Sequence, residues 1–175
     1  MGHAIHIHDW VCGVLGPVGS VHAELATRVN DIETEDCAAL AMRMENGALV
    51  TSSITLGAAQ DTSRMRFVFE HLTAESGRLP YAPAQDQWSF AARDPGDQAA
   101  VDAIVSAVSD GEAGFAGLFA EIAKALDGQD NHAVTLADGR RSLEFVTAVY
   151  DSARRGTRVR LPLGQDHALY EGWQP

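Results

Sequence analysis

Cys37-Ala-Ala-Leu-Ala-Met-Arg-Met-Glu-Asn-Gly-Ala-Leu-Val-Thr-Ser-Ser-Ile-Thr-Leu56 reads as two strands hinged on Asn46-Gly47. Before the hinge, Leu40, Met42 and Met44 alternate with Arg43 and Glu45; after it, Thr51, Ser53 and Thr55 alternate with Val50 and Ile54. A period of two marks a half-buried strand, because successive side chains point to opposite faces. Asn-Gly tolerates positive φ at both central positions of a type I′ turn, so the stretch predicts a β-hairpin. The face bearing Thr51, Ser53 and Thr55 is too polar for a sealed core and flat enough for a partner subunit.

Working outward, residues 18–29 also alternate, with Val21, Ala23, Leu25 and Thr27 opposed to His22, Glu24, Ala26 and Arg28, which predicts a further strand. Ahead of it, Ile7, Trp10, Val11, Val14 and Leu15 recur at spacings of three and four and predict a helix over residues 4–15, stopped by Gly16-Pro17. Downstream, residues 64–73 read as one strand with Met65, Phe67 and Phe69 aligned, and a short strand is expected around 87–91. After Asp94-Pro95-Gly96 the period lengthens to about 3.6. Val101, Ile104, Val105 and Val108 mark one helix, and Phe115, Leu118, Phe119, Ile122 and Leu126 a second, ended by Asp127-Gly128. A third starts at Thr135, with Asp138 three residues on as in a capping box, and runs to Gly156; residues 158–161 form a returning strand. Strands followed by helices give an α+β fold: an open, mainly antiparallel sheet, helices packed on one face, the other face free for oligomerisation. No repeat or linker interrupts residues 1–175, so a single domain is expected.

Composition narrows the function. Acidic residues outnumber basic ones 24 to 13, a formal charge of −11, and no basic stripe offers itself to nucleic acid. No apolar run approaches the ~20 residues of a membrane helix, and the N-terminus lacks the cationic and apolar segments of a secretory signal. A cytoplasmic protein is expected, with Cys12 and Cys37 as buried, reduced packing residues.

Reactive side chains concentrate at His3, His6, His8 and Asp9. On a helix, His3, His6 and Asp9 fall at successive i, i+3 positions along one edge, while His8 points elsewhere. An imidazole beside a carboxylate suits a general acid or base; a helix-start histidine near an aspartate with no catalytic work is the plainer reading. A metal site is a third, but His-x-His places both rings on one side only in a strand. No Gly-x-Ser-x-Gly elbow, dinucleotide fingerprint or phosphate loop is present.

The order of these features resembles the Gfo/Idh/MocA oxidoreductase family. Ile5-His6-Ile7-His8-Asp9 with Val14-Leu15-Gly16 is similar to its Gly-x-His-x-x-Asp…Leu-Gly segment. Glu35-Asp36, and the strand ending in Met44-Glu45-Asn46-Gly47-Ala48, resemble its Glu-Asp-Thr…Phe-Glu-Asn-Gly-Ala hairpin. Thr135, Gly139 to Glu144 and Tyr150-Asp151-Ser152-Ala153 resemble its C-terminal helix, and Arg158-Val-Arg-Leu-Pro162 its closing strand.

The resemblance implies the C-terminal substrate and oligomerisation domain of an NAD(P)-dependent dehydrogenase acting on a sugar, polyol or related hydroxyl compound. It implies His6 as the residue exchanging a proton with the substrate hydroxyl, Asp9 at the substrate pocket, and His3 as an assisting substrate contact. It also implies a homodimer or larger homo-oligomer through the sheet face. NAD or NADP belongs to a Rossmann domain that is not in this sequence, so the chain itself is expected to bind no cofactor and no metal, and to be truncated on its N-terminal side. Two departures stand out. Gly2 occupies the place of an aspartate that many members carry four residues before the histidine, and Lys124, on a helix, is no counterpart of the nucleotide domain's Glu-Lys-Pro lysine. The alternative is a free-standing, non-catalytic α+β module that binds a small ligand or dimerises.

Overall fold

The computed structural model describes residues 5–108, 111–112 and 114–172. In chain order the elements are α1 (Ile5–Leu15), β1 (Val18–Ala26), β2 (Cys37–Met44), β3 (Leu49–Thr55), β4 (Arg66–Val68), β5 (Leu72–Ser76), β6 (Trp88–Ala92), α2 (Gln98–Ala107), α3 (Gly114–Leu126), α4 (Leu136–Arg155) and β7 (Val159–Arg160). The fold is α+β, and every pairing among the described strands is antiparallel. The backbone divides into two compact units, one of residues 1–59 and 135–175, the other of residues 60–134.

In the first unit, β3, β2, β1 and β7 form one sheet in that order. The alternation read from the sequence decides its faces. Val21, Ala23, Ala38, Leu40, Met42 and Met44 point inward and are buried, whereas Ala39, Ala41, Arg43, Thr51, Ser53 and Thr55 point outward and are exposed. Helix α4 covers the inner face with Phe145, Ala148 and Val149, all buried. Ser152 locks the two layers together: its Oγ accepts the Ala23 N–H at 3.0 Å and donates to the Thr157 carbonyl at 2.6 Å. The helix ends are as the sequence demands. Thr135 and Asp138 form a reciprocal capping box, and Gly156 takes the left-handed conformation (φ 61°) that closes the last turn.

The hairpin is present, but its turn is not type I′. Gly47 N–H bonds the Met44 carbonyl at 3.0 Å, Met44 N–H bonds the Ala48 carbonyl at 2.9 Å, and only Gly47 (φ 92°) takes positive φ. That is the pattern of a type I turn followed by a left-handed glycine bulge. Asn46 keeps negative φ because its side chain is employed twice: Oδ1 accepts the Ala48 N–H at 3.0 Å, and Nδ2 donates to the Leu15 carbonyl at 2.9 Å, at the end of α1.

In the second unit, β4, β5 and β6 form a three-stranded sheet. The single strand expected over 64–73 is two strands, because the chain reverses at Phe69–Leu72, where Phe69 N–H bonds the Leu72 carbonyl at 2.8 Å. Apolar alternation continues across such a reversal, which hid it. Met65, Phe67 and Ala74 are buried, and Phe67 stacks between Phe69 and Trp88. No described residue of α2 or α3 is buried. Among the described residues no helix is long and apolar enough to cross a membrane.

Candidate functional site

Helix α1 lies along α4, and the two histidines on it have opposite fates. His8 turns inward and stacks flat on Phe145, ring centres 3.6 Å apart and planes 2° from parallel, with Cys12 Sγ 3.5 Å from its Nε2. Burial pushes its pKa down from 6.5 to about 4, against the opposing pull of the Asp9 charge. His8 is therefore a neutral packing residue at neutral pH. Burial, then the Asp9 charge, pushes the Cys12 thiol up to about 11, so it has little thiolate character.

His6 is exposed on the other side of α1, and among the described residues no hydrogen bond or ion pair engages it. Asp9, one turn later, is also exposed. Its Oδ1 accepts a hydrogen bond of 2.6 Å from Ser142 Oγ of α4, which holds the carboxylate in place. His3, the third residue of the expected edge, lies outside the described residues. The structure thus sets His6 and Asp9 on one helix edge one turn apart, with Asp9 tied to the neighbouring helix. Cys12 and Cys37 are free thiols, but half-buried instead of buried. Cys12 is shielded on one side by His8, and Cys37 starts β2 on the outer face, 3.5 Å from Thr55 Oγ1.

Polar groups that the sequence could not pair lie close to this helix pair. Tyr150 of α4 donates to Glu35 Oε1 at 2.7 Å; burial, then that carboxylate, pushes the phenol up to about 12. Asp36, buried, accepts the backbone N–H groups of Asn30, Arg28 and Val29 at 2.7–2.8 Å, which hold its carboxyl well below the usual range and fix the loop between β1 and β2. Asp151 accepts from Arg155 at 3.1 Å and lies 3.3 Å from His167 Nε2, fastening the C-terminal segment to α4. Ser142, 133 residues from Asp9 in sequence, gives no local sign of its partner. Among the described residues no group of three His, Cys, Asp or Glu side chains is placed to hold a metal ion.

Residues 1–75, which carry α1 and the hairpin, match the family model of the GFO/IDH/MocA C-terminal domain. Over those residues the chain is similar to that C-terminal domain. Its solved neighbours include the WlbA dehydrogenase of Bordetella pertussis in complex with NADH and UDP-GlcNAcA, 28% identical, with a TM-score of 0.71, covering 94% of this chain and 46% of that one. The fold is shared with the aldose-aldose oxidoreductase of Caulobacter crescentus complexed with glycerol, 19% identical, with a TM-score of 0.67, covering 90% and 46%. The chain therefore spans less than half the length of these oxidoreductases. No curated protein matches it significantly.

The NAD(P) that this family implies finds no cradle among the described residues. A dinucleotide fold needs parallel strands, with a glycine turn leading from the first of them into a helix N-terminus. Here every pairing is antiparallel, and Gly16 (φ 82°) leads out of a helix into a strand. The side chains present do not fit the group.

Proposed function

We propose that this chain supplies the substrate side of an NAD(P)-dependent oxidoreductase acting on a sugar, a polyol or a related hydroxyl compound. One observation carries the reading: of the two described histidines on α1, His8 is sealed and neutral, while His6 is exposed with Asp9 one turn away. Such an imidazole can take the hydroxyl proton as the carbinol carbon is oxidised and return it in the reverse direction. Asp9, held by Ser142, can accept a hydrogen bond from a second substrate hydroxyl. The exposed outer face of the first sheet, with Thr51, Ser53 and Thr55, is the surface through which copies of the chain associate.

The test is His6→Gln in the assembled dehydrogenase, followed by nicotinamide absorbance with a panel of sugars and polyols. Loss of a general acid or base lowers kcat by roughly 10²–10⁴-fold, with KM changed far less and with the pH dependence of kcat altered. An unchanged kcat and pH profile removes His6 from the chemistry. Titrated alone with NADH or NADPH, the chain should show no saturable binding.

A further inference from the structure

After β7 the chain is tied to one flank of α4 by two carboxylates, Glu144 and Asp151, which lie on the same side of the helix. Leu161 N–H first bonds the Gly19 carbonyl at 3.0 Å. Leu163 N–H then bonds Glu144 Oε1 at 2.7 Å, and His167 Nε2 meets Asp151 Oδ2 at 3.3 Å.

Both nitrogens of the His167 ring are engaged. Nδ1 receives Leu169 N–H at 3.2 Å, and a backbone N–H can only donate, so Nδ1 carries no hydrogen. The hydrogen of the neutral ring therefore sits on Nε2, where the carboxylate accepts it. One tautomer satisfies both neighbours. The His167 and Asp151 side chains are only 15% and 11% exposed, so the pair is largely shielded from water. The Leu169 bond helps close a turn in which Tyr170 N–H also bonds the His167 carbonyl at 2.9 Å.

A second proton would change the two sides of the ring unequally. Nε2 keeps its hydrogen and its bond to Asp151. That carboxylate already has Arg155 Nη1 at 3.1 Å from the same Oδ2, so its charge is offset before the ring contributes. Nδ1 turns from acceptor into donor and then faces the donor of Leu169. Ala168 and Tyr170 on either side are exposed, so the displaced N–H can turn to water. Helix α4 presents Asp151 and Arg155 to the ring; its own segment adds Asp166, Tyr170 and Glu171.

We propose that His167 is a proton-operated latch: its neutral ring closes the turn over residues 167–170, and its charged ring stays on Asp151 while releasing Leu169 and the residues that follow. The latch depends on neither the role given to His6 nor the association of copies.

NMR spectroscopy of the whole chain tests it at about pH 7.5 and about pH 5.5, either side of the ordinary imidazole value of about 6.5 and above the value of about 4 for His8. Expected at the higher pH is a His167 ring with its hydrogen on Nε2, read from the ring-nitrogen shifts. At the lower pH the ring is charged, and the Leu169 amide exchanges at least about fivefold faster after correction for the intrinsic rate. The Leu163 amide, bonded to Glu144, keeps its protection. His167→Leu should leave the Leu169 amide fast at both pH values. A hydrogen on Nδ1 at the higher pH overturns the proposal, as does a ring still neutral at the lower one. So does Leu169 protection that survives a charged ring, or an equal loss at Leu163, which assigns the change to the whole segment. Should His167→Leu fail to fold, the comparison of Leu163 with Leu169 in the unaltered chain decides alone.

Discussion

The two sheets of this chain show how differently the same apolar periodicity can be used. In the first unit, Phe145, Ala148 and Val149 of α4 are almost fully buried against Val21, Ala23, Met42 and Met44. In the second, α2 and α3 have equally regular apolar spacing, yet Phe115, Phe119 and Leu126 are 77%, 64% and 84% exposed. A pattern of threes and fours fixes that a segment is helical and which side is greasy. It does not fix what lies against that side. Stability is therefore expected to rest on the first unit.

The largest expected effect is Phe145→Ala. The substitution removes a sealed ring and its stack with His8, and large-to-small changes of this kind cost about 3–5 kcal/mol. Denaturant unfolding measures it; a loss below about 1 kcal/mol would show that this layer is not the core.

The next effect is pH-dependent. His8 binds its proton at about 4 in the fold, against 6.5 ordinarily. Between those values the unfolded chain holds more protons, so stability is level above pH 6.5 and falls as pH drops toward 4, by up to about 3 kcal/mol. His8→Leu should flatten that part of the stability profile; a slope that persists unchanged places its origin elsewhere.

The smallest effect is Phe119→Ser on α3. With the ring already exposed, the cost should stay within about 0.5 kcal/mol, as at other surface positions. A much larger loss would mean that the apolar side of α3 is covered in solution, and the contrast between the units would disappear.

Much of the first unit was legible beforehand because its signals are local. The alternation across Asn46-Gly47, the capping pair Thr135 and Asp138, and Gly156 each act within a few residues, and all are realised. The reversal at residues 69–72 was missed because Phe69 and Leu72 keep an apolar rhythm through it. The type I turn was missed because Asn46 answers to Leu15, 31 residues away, as well as to its own loop. The candidate site divides along the same line. The His6–Asp9 spacing is a property of one helix, and the inward turn of His8 follows from the same period. The partners that define their surroundings, Ser142 and Phe145, come from α4 at the far end of the chain, and no local pattern announces them.

The side chain of Asn46 is bonded both to its own loop and to the last carbonyl of α1. Helix α1 is an 11-residue rod moored at its tail by a strand turn, with His6 near its tip. At about 1.5 Å per residue, a tilt of roughly 10° at the mooring swings the tip by about 2 Å. The tail of that helix is thus held from a strand turn while His8 on Phe145 and Asp9 on Ser142 hold the end that carries His6, so Asn46→Ala should loosen the tail and leave both strands paired.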